Sequence, residues 1–315
     1  MAAAFVFPGQ GSQAVGMGKA LAEAFAPARA VFEEVDAALG EKLTATMWDG
    51  PSDKLTLTEN AQPALMAVSL AAMRVLEAEA GVDLKRDAQF VAGHSLGEYS
   101  ALAAAGAFTI SDTARLLRIR GRAMQQAVPV GTGAMAALLG MELDAATKVA
   151  AEAAQGEVCQ VANDNGGGQV VVSGSKSAVE RAVEIAQTKG AKRAMMLKVS
   201  APFHCALMQP AADAMAEALA KIDVKSPSVP VVANVLAKPI SDPTEIVRRL
   251  VEQVTGTVRW RECAAFMAGY GVMTFYEIGS GKVLTGLLKR IAESATGTVV
   301  STPADVMAFR AARGG

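Results

Sequence analysis

The feature that most constrains this chain is the setting of the pentapeptide Gly93-His94-Ser95-Leu96-Gly97. The apolar segment before it, 89–92, reads as a buried strand, and 98–105 after it reads as a helix. A serine held between small residues on so tight a strand-to-helix turn projects its hydroxyl at the sheet edge. The glycines permit the strained backbone and let the neighbouring chain approach. The pentapeptide also arises by chance, so the flanking strand and helix carry much of the weight. With both in place, a nucleophile elbow for acyl chemistry outweighs an incidental turn.

The same alternation extends over the first 127 residues. A strand is expected at 3–7, followed by the Pro8-Gly9-Gln10-Gly11-Ser12 turn and helical periodicity through Ala38. A second helix follows Asn60, then come the elbow and a helix opened by Ser111-Asp112 that ends before Pro129. Short continuous apolar strands between helices indicate a parallel, helix-covered sheet, so the expected class is α/β. The order changes at about 130. Strand 134–139, helix 143–154, strands 158–162 and 169–173, helix 177–187 and strand 193–199 spell β-α-β-β-α-β, a ferredoxin-like unit. The α/β pattern then resumes with a strand at 229–235, helices near 243–254 and 259–268, a strand at 274–278, a helix to about 292 and a strand at Val299. The expected organisation is a large core of residues 1–129 and 198–315 with an inserted subdomain at 130–197. The stretches 129–133 and 200–202 read as hinges, and the cleft between the two parts is where a site belongs.

Composition excludes several classes. The formal net charge of the 315 residues is −1, which gives no global attraction to nucleic acid or to an anionic membrane surface. Cys159, Cys205 and Cys263 lack metal-ligand spacing, and an odd count fits a reducing cytoplasm better than a disulfide framework. The start of the chain has no basic segment and too short an apolar run for a signal peptide. The most apolar helix, 63–76, is interrupted by Arg74 and Glu77, as in a core helix rather than a membrane span. No metal and no bound redox cofactor are called for.

A serine nucleophile needs a base, and there are only two histidines. His94 adjoins Ser95, but neighbours on a sharp elbow diverge, so it reads as structural or as a wall of the site. His204, where the chain returns from the inserted unit, is the expected base, and the alternative is a core histidine satisfied by backbone. No acidic third member announces itself, and a backbone carbonyl could orient the ring instead. Cys205 as nucleophile is the weaker option, a small buried thiol being commoner. On the helix around Arg120, residues Arg115, Arg118 and Arg122 share one arc and read as a solvated face. Arg120 falls among Leu116, Leu117, Ala123, Met124 and Ala127. Such an arginine has either an internal carboxylate partner or a substrate acid to clamp.

With these residues assembled, the chain resembles the malonyl-CoA:acyl carrier protein transacylases of fatty-acid synthesis and the acyltransferase domains of polyketide synthases. The resemblance runs from Phe5 to about Ile291. It rests on 5–13 (FVFPGQGSQ), 93–99 (GHSLGEY), Arg120-Gly121, Met124-Gln125, Asn163 to Asn165, 168–171 (GQVV), Pro202-Phe203-His204, Glu277-Ile278-Gly279 and 281–284 (GKVL). It implies an α/β-hydrolase-like core with an inserted ferredoxin-like subdomain. It implies Ser95 as the acylated nucleophile, His204 as general base and Arg120 as partner of the malonyl carboxylate. Backbone N–H groups of Gln10 and Leu96 would form the oxyanion hole, and the main-chain carbonyl of Gln253 would orient His204. Asn165 or Asn163 would lie near the base and the acyl group. Phe203 resembles the form that goes with malonyl rather than methylmalonyl substrates. The implied partners are malonyl-CoA and an acyl carrier protein bearing a phosphopantetheine arm, with no cofactor resident on the chain. Such carriers are typically acidic, and Lys189, Lys192 and Arg193 are candidates for docking one, the alternative being an ordinary solvated charge cluster.

Other readings compete. Gly9-Gln10-Gly11-Ser12-Gln13-Ala14 mimics a dinucleotide fingerprint, but Glu33 and Glu34 sit in a helical region where that motif needs an acid at a strand end. A serine esterase or thioesterase would share nucleophile, base and oxyanion hole. A non-catalytic carrier-binding module on an inactive fold is the third, and the intact Ser95, His204 and Arg120 set argues against it.

Overall fold

A computed structural model describes residues 2–314. The strands are β1 (Ala3–Phe7), β2 (Phe90–Gly93), β3 (Gly133–Leu139), β4 (Cys159–Asp164), β5 (Gln169–Ser175), β6 (Arg193–Met196), β7 (Val231–Ala233), β8 (Lys238–Ile240), β9 (Thr274–Ile278) and β10 (Thr296–Val300). They form two sheets. The six-stranded sheet has the order β10-β9-β1-β2-β7-β8 and is parallel except for the β7–β8 edge. The four-stranded sheet, β4-β5-β3-β6, is antiparallel throughout.

Every residue of β1 and β2 is buried, the pattern of a strand covered by helices on both faces. Phe5 and Phe7 face the cluster that holds Leu65, Met66, Leu102 and Leu117. Ala4 and Val6 face Trp260, Met267 and Phe275 on the other side. Helix Thr58–Ala80 is buried almost all round and is the central support of the first cluster. Among the described residues no helix is long and apolar enough to cross a membrane. Helices Leu143–Ala154 and Lys176–Thr188 cover the smaller sheet, with Val149, Val170, Val172 and Val179 among its own buried cluster.

The expected strands and principal helices are present, with several additions. Helices Leu43–Asp49 and Ser52–Thr56 are too short to show a period, and β8 is a three-residue edge strand containing Pro239. Helix Pro303–Ala312 follows a capping box in which Thr302 and Asp305 exchange hydrogen bonds, with Pro303 as its first residue.

The segments expected to act as hinges do not stand alone. Gly133 abuts the ring of Pro202, so the two flanks pack together. A third connection lies elsewhere. The register of β4 shifts between Val161 and Asn163, and Asn163 bridges in parallel to Val258. Val258 N–H donates to the Ala162 carbonyl at 2.9 Å, and Asp164 N–H donates to the Val258 carbonyl at 3.0 Å. Arg261 pairs with the buried carboxylate of Asp164 at 2.7 Å. The smaller sheet is thereby stitched to the segment that follows helix Pro243–Thr255.

Candidate active site

Ser95 joins β2 to helix Leu96–Ala104 with φ 54° and ψ −113°, a conformation that costs a non-glycine residue about 1–3 kcal/mol. The surroundings enforce it. A Cβ on Gly93 would lie 1.9 Å from the carbonyl of Gly97, and one on Gly97 would lie 2.2 Å from the carbonyl oxygen of Phe7. Backbone occupies the space on both sides, so the turn can close only with glycine at each end. The Ser95 N–H donates to Asn234 Oδ1 at 2.8 Å, while Asn234 Nδ2 donates to the Gly93 carbonyl at 2.7 Å.

His204 lies on the segment leading into a short 3₁₀ turn, Ala206–Met208. Its Nε2 is 2.8 Å from Ser95 Oγ and its Nδ1 is 2.9 Å from the Gln253 main-chain carbonyl. A carbonyl only accepts, so Nδ1 carries the proton and Nε2 is left as the acceptor for the serine hydroxyl. Burial lowers the pKa of His204 to about 3, and the nearby charge of Arg120 works in the same direction. The imidazole is therefore neutral at physiological pH.

Arg120 is 1% exposed, on helix Ile110–Gln126. It donates to Gln62 Oε1 at 2.8 Å, Gln253 Oε1 at 2.9 Å and Ser95 Oγ at 3.2 Å, and its guanidinium carbon lies 5.6 Å from the centre of the Tyr99 ring. These acceptors are all neutral; the buried carboxylate of Glu98 acts on Arg120 through space and by way of the Gln253 amide, not as a direct partner. The expectation for Arg118 fails. It is buried, donates to the Glu59 carbonyl and to Asn60, and pairs with Glu41, because the segment before helix Leu43–Asp49 and the start of helix Thr58–Ala80 cover that arc. Arg115 and Arg122 remain exposed and paired.

Several of the other expected residues surround the same cleft of about 400 Å³. Gln10, His94, Asn163, Asn165 and Phe203 line it together with Ser95, Arg120 and His204. Met124, Met135, Val171, Leu197, Leu284 and Leu287 supply apolar surface. His94 turns away from Ser95 to bond Asn165 at 2.9 Å, against Trp260, and burial lowers its pKa. The N–H groups of Gln10 and Leu96 find no backbone or side-chain acceptor among the described residues. The Gln10 side chain accepts from Thr58 Oγ1 at 2.8 Å, and Thr58 in turn accepts from Gln62 at 2.9 Å. Cys205 is fully buried, bonds the Pro202 carbonyl at 3.2 Å and has its thiol pKa raised, the environment of an inert sulfur. Lys189, Lys192 and Arg193 do not line the cleft. Lys189 is paired with Glu152, Lys192 packs along Gly140, and Arg193 begins the edge strand β6.

Two buried residues beneath the site escape sequence reasoning. Glu98, 1% exposed, accepts from the Asn234 N–H at 3.0 Å and from Gln253 Nε2 at 2.8 Å, and burial lifts its pKa to about 7. Asn234 follows β7 and reaches the elbow across 139 residues of chain. A buried acid in the elbow helix is itself a signal, because such a group needs partners. Asn234 gives none.

Comparison with known proteins agrees with this geometry. Residues 4–307 match the acyl transferase domain family. The malonyl CoA-acyl carrier protein transacylase of Escherichia coli K12 is 47% identical over 305 residues, 97% of each chain. The crystal structure of an acyl-carrier-protein S-malonyltransferase from Bartonella henselae superposes with a TM-score of 0.97 at 57% identity, covering all of both chains. A malonyl-transacylase solved in complex with a type II polyketide synthase acyl-carrier protein gives 0.95 at 43% identity, covering 99% of this chain and 100% of that one. The nucleophile elbow and the family match agree: the chain belongs to the malonyl-CoA:acyl carrier protein transacylases, within the acyl transferase family.

Proposed function

We propose that this enzyme moves a malonyl group from malonyl-CoA to the phosphopantetheine thiol of an acyl carrier protein, through an ester on Ser95, and so supplies malonyl carrier for fatty-acid synthesis. One observation carries the choice of substrate. Arg120 is buried, is held by neutral oxygens and lies 3.2 Å from Ser95 Oγ. A buried cation with no carboxylate in direct hydrogen-bonding contact favours an anionic ligand, and this one sits beside the attacking atom. The acid it suits is separated from the attacked carbonyl by one methylene.

In the first half-reaction His204 Nε2 takes the Ser95 proton as Oγ attacks the thioester carbonyl. The oxyanion is received by the N–H groups of Gln10 and Leu96, and the imidazolium is steadied by the Gln253 carbonyl at Nδ1. The carbon–sulfur bond breaks and coenzyme A leaves with the proton from His204. In the second half His204 takes the proton of the carrier thiol, whose sulfur attacks the ester, and returns it to Ser95 Oγ. His94, Asn163 and Asn165 flank the acyl group, and Phe203 fills the space next to its methylene.

The finer architecture belongs to the same reading. The strand order β4-β5-β3-β6 with its two covering helices supports a ferredoxin-like subdomain at 130–197. The parallel sheet and elbow support an α/β-hydrolase-like core of 1–129 and 198–315. Three unpaired, buried cysteines support a cytoplasmic setting. Lys192 and Arg193 at the edge of the smaller sheet remain the proposed carrier contacts, with Lys189 tempered by Glu152. Intact-mass measurement after incubation with malonyl-CoA or acetyl-CoA, without carrier, tests the proposal. A malonyl adduct that Ser95→Ala abolishes, with little acetyl adduct, is expected. Free malonate without an adduct would make the protein a thioesterase.

A further inference from the structure

We infer that Glu98 and Asn234 are positioning residues for acyl transfer: together they form a buried clamp that fixes the strained Ser95 backbone to Gln253, and hence to His204. The inference rests on the reading of Ser95 and His204 given above.

The geometry is continuous. Asn234 spans the elbow from below, accepting from the Ser95 N–H at 2.8 Å and donating to the Gly93 carbonyl at 2.7 Å. Its own N–H donates to Glu98 Oε2 at 3.0 Å, and the same oxygen accepts from Gln253 Nε2 at 2.8 Å. Gln253 Nε2 also donates to the Ser95 carbonyl at 3.0 Å. The main-chain carbonyl of Gln253 holds His204 Nδ1 at 2.9 Å. Nucleophile and base thus come from segments 109 residues apart, yet the Ser95 carbonyl and the His204 ring meet on one glutamine whose side chain is anchored by one carboxylate.

Asn234 and Gln253 are fully buried and Glu98 nearly so, which makes each a costly choice unless its hydrogen bonds do something an apolar residue cannot. What they do is oppose relaxation of the elbow. Ser95 gains by returning to a common backbone conformation, and every bond to its N–H and carbonyl resists that movement. A displacement of about 1 Å between reacting groups can cost about a hundredfold in rate. The clamp therefore acts on the chemical step: neither Glu98 nor Asn234 lines the acyl cleft, and their hydrogen bonds reach Arg120 only through the Gln253 side chain.

The test uses the full chain with Glu98→Ala, Glu98→Gln and Asn234→Ala. Two rates are read at a temperature where each variant is shown to be folded: malonylation of Ser95, and phosphonylation of Ser95 by a fluorophosphonate. The second reports the Ser95–His204 pair without calling on malonyl recognition. Glu98→Ala and Asn234→Ala are expected to lose about tenfold or more in kcat and in phosphonylation, with KM for malonyl-CoA within about twofold. Glu98→Gln retains an oxygen acceptor in the same place and is expected to recover most of the rate. Wild-type rates in folded Glu98→Ala would overturn the clamp. So would a Glu98→Gln enzyme as slow as Glu98→Ala, or a loss confined to KM. Should Glu98→Ala not fold, Glu98→Gln against Asn234→Ala decides by the same readings. Wild-type enzyme that is phosphonylated but never malonylated would count against the proposed function and leave the clamp standing.

Discussion

Ser95 and His204 face each other across 2.8 Å, and both hold positive φ, 54° and 58°. Each is a non-glycine residue in a region that L-residues avoid, so strain is stored on both sides of the reacting hydrogen bond.

That strain predicts a gain in stability from a fatal change. Ser95→Gly and Ser95→Ala both remove the hydroxyl and its bonds, but only glycine relieves the backbone. Relief of about 1–3 kcal/mol exceeds the 0.5–1 kcal/mol or so that glycine loses in chain entropy. Ser95→Gly is expected to be more stable than Ser95→Ala by about 1 kcal/mol, a rise of roughly 2 °C in Tm by thermal unfolding. Equal midpoints would show that the elbow is not strained.

Arg120→Met should lower kcat/KM for malonyl-CoA about a hundredfold while changing that for acetyl-CoA little, because a charge-assisted bidentate contact is worth about 3 kcal/mol. Arg120→Lys should fare nearly as badly, since an ammonium does not reproduce the planar fork. Steady-state comparison of the two thioesters checks both. An undiminished malonyl preference in Arg120→Met would remove the clamp from the mechanism.

Two buried groups give opposite dependences of stability on pH. Glu98 is raised from an ordinary 4.5 to about 7, so the folded protein keeps a proton that the unfolded chain has lost. Its contribution is full below 4.5 and falls away as pH rises to 7. His204 is lowered from 6.5 to about 3, so the unfolded chain binds the extra proton and stability grows as pH rises toward 6.5. The two slopes offset each other between 4.5 and 6.5. Removing the first with Glu98→Gln should make the difference in Tm between variant and wild type climb steadily over pH 4.5–7. A flat difference would place Glu98 in its ordinary range.

Phe203, 8% exposed, lines the acyl cleft next to the base. Phe203→Ala should raise the ratio of methylmalonyl to malonyl transfer roughly tenfold, about the discrimination one methyl group supports in an apolar pocket. Competition between the two thioesters measures that ratio directly.

The parts of the site legible in the sequence are those whose chemistry is local or scarce. The Ser95 elbow shows in five residues and their flanks. His204 follows from there being so few histidines, and Arg120 from standing on the wrong side of its helix. Gln253 was not legible from its own neighbourhood, because its part is played by a main-chain carbonyl that any residue possesses; the family resemblance supplied it. Asn234 was not legible at all, since its contacts with the elbow span far more chain than any period covers. Arg118 shows the converse error. A helical wheel knows only its own helix, and the face it assigned to solvent is roofed by Glu41 and by the start of helix Thr58–Ala80. That a second, separate sheet follows the first was readable because β-α-β-β-α-β differs from the alternation around it. The join from β4 to Val258 was not, since a single bridge leaves no pattern.

That join bears on how the proposed substrates would come and go. Two linkers alone would make the smaller sheet a jaw, free to swing open for one bulky thioester and shut before the next. With Asn163 fastened to Val258 and Arg261 to Asp164, the jaw becomes a picture frame, braced along a third side. On the proposed mechanism coenzyme A withdraws before the carrier's arm enters this braced cleft, and in that interval the acyl group waits on the serine.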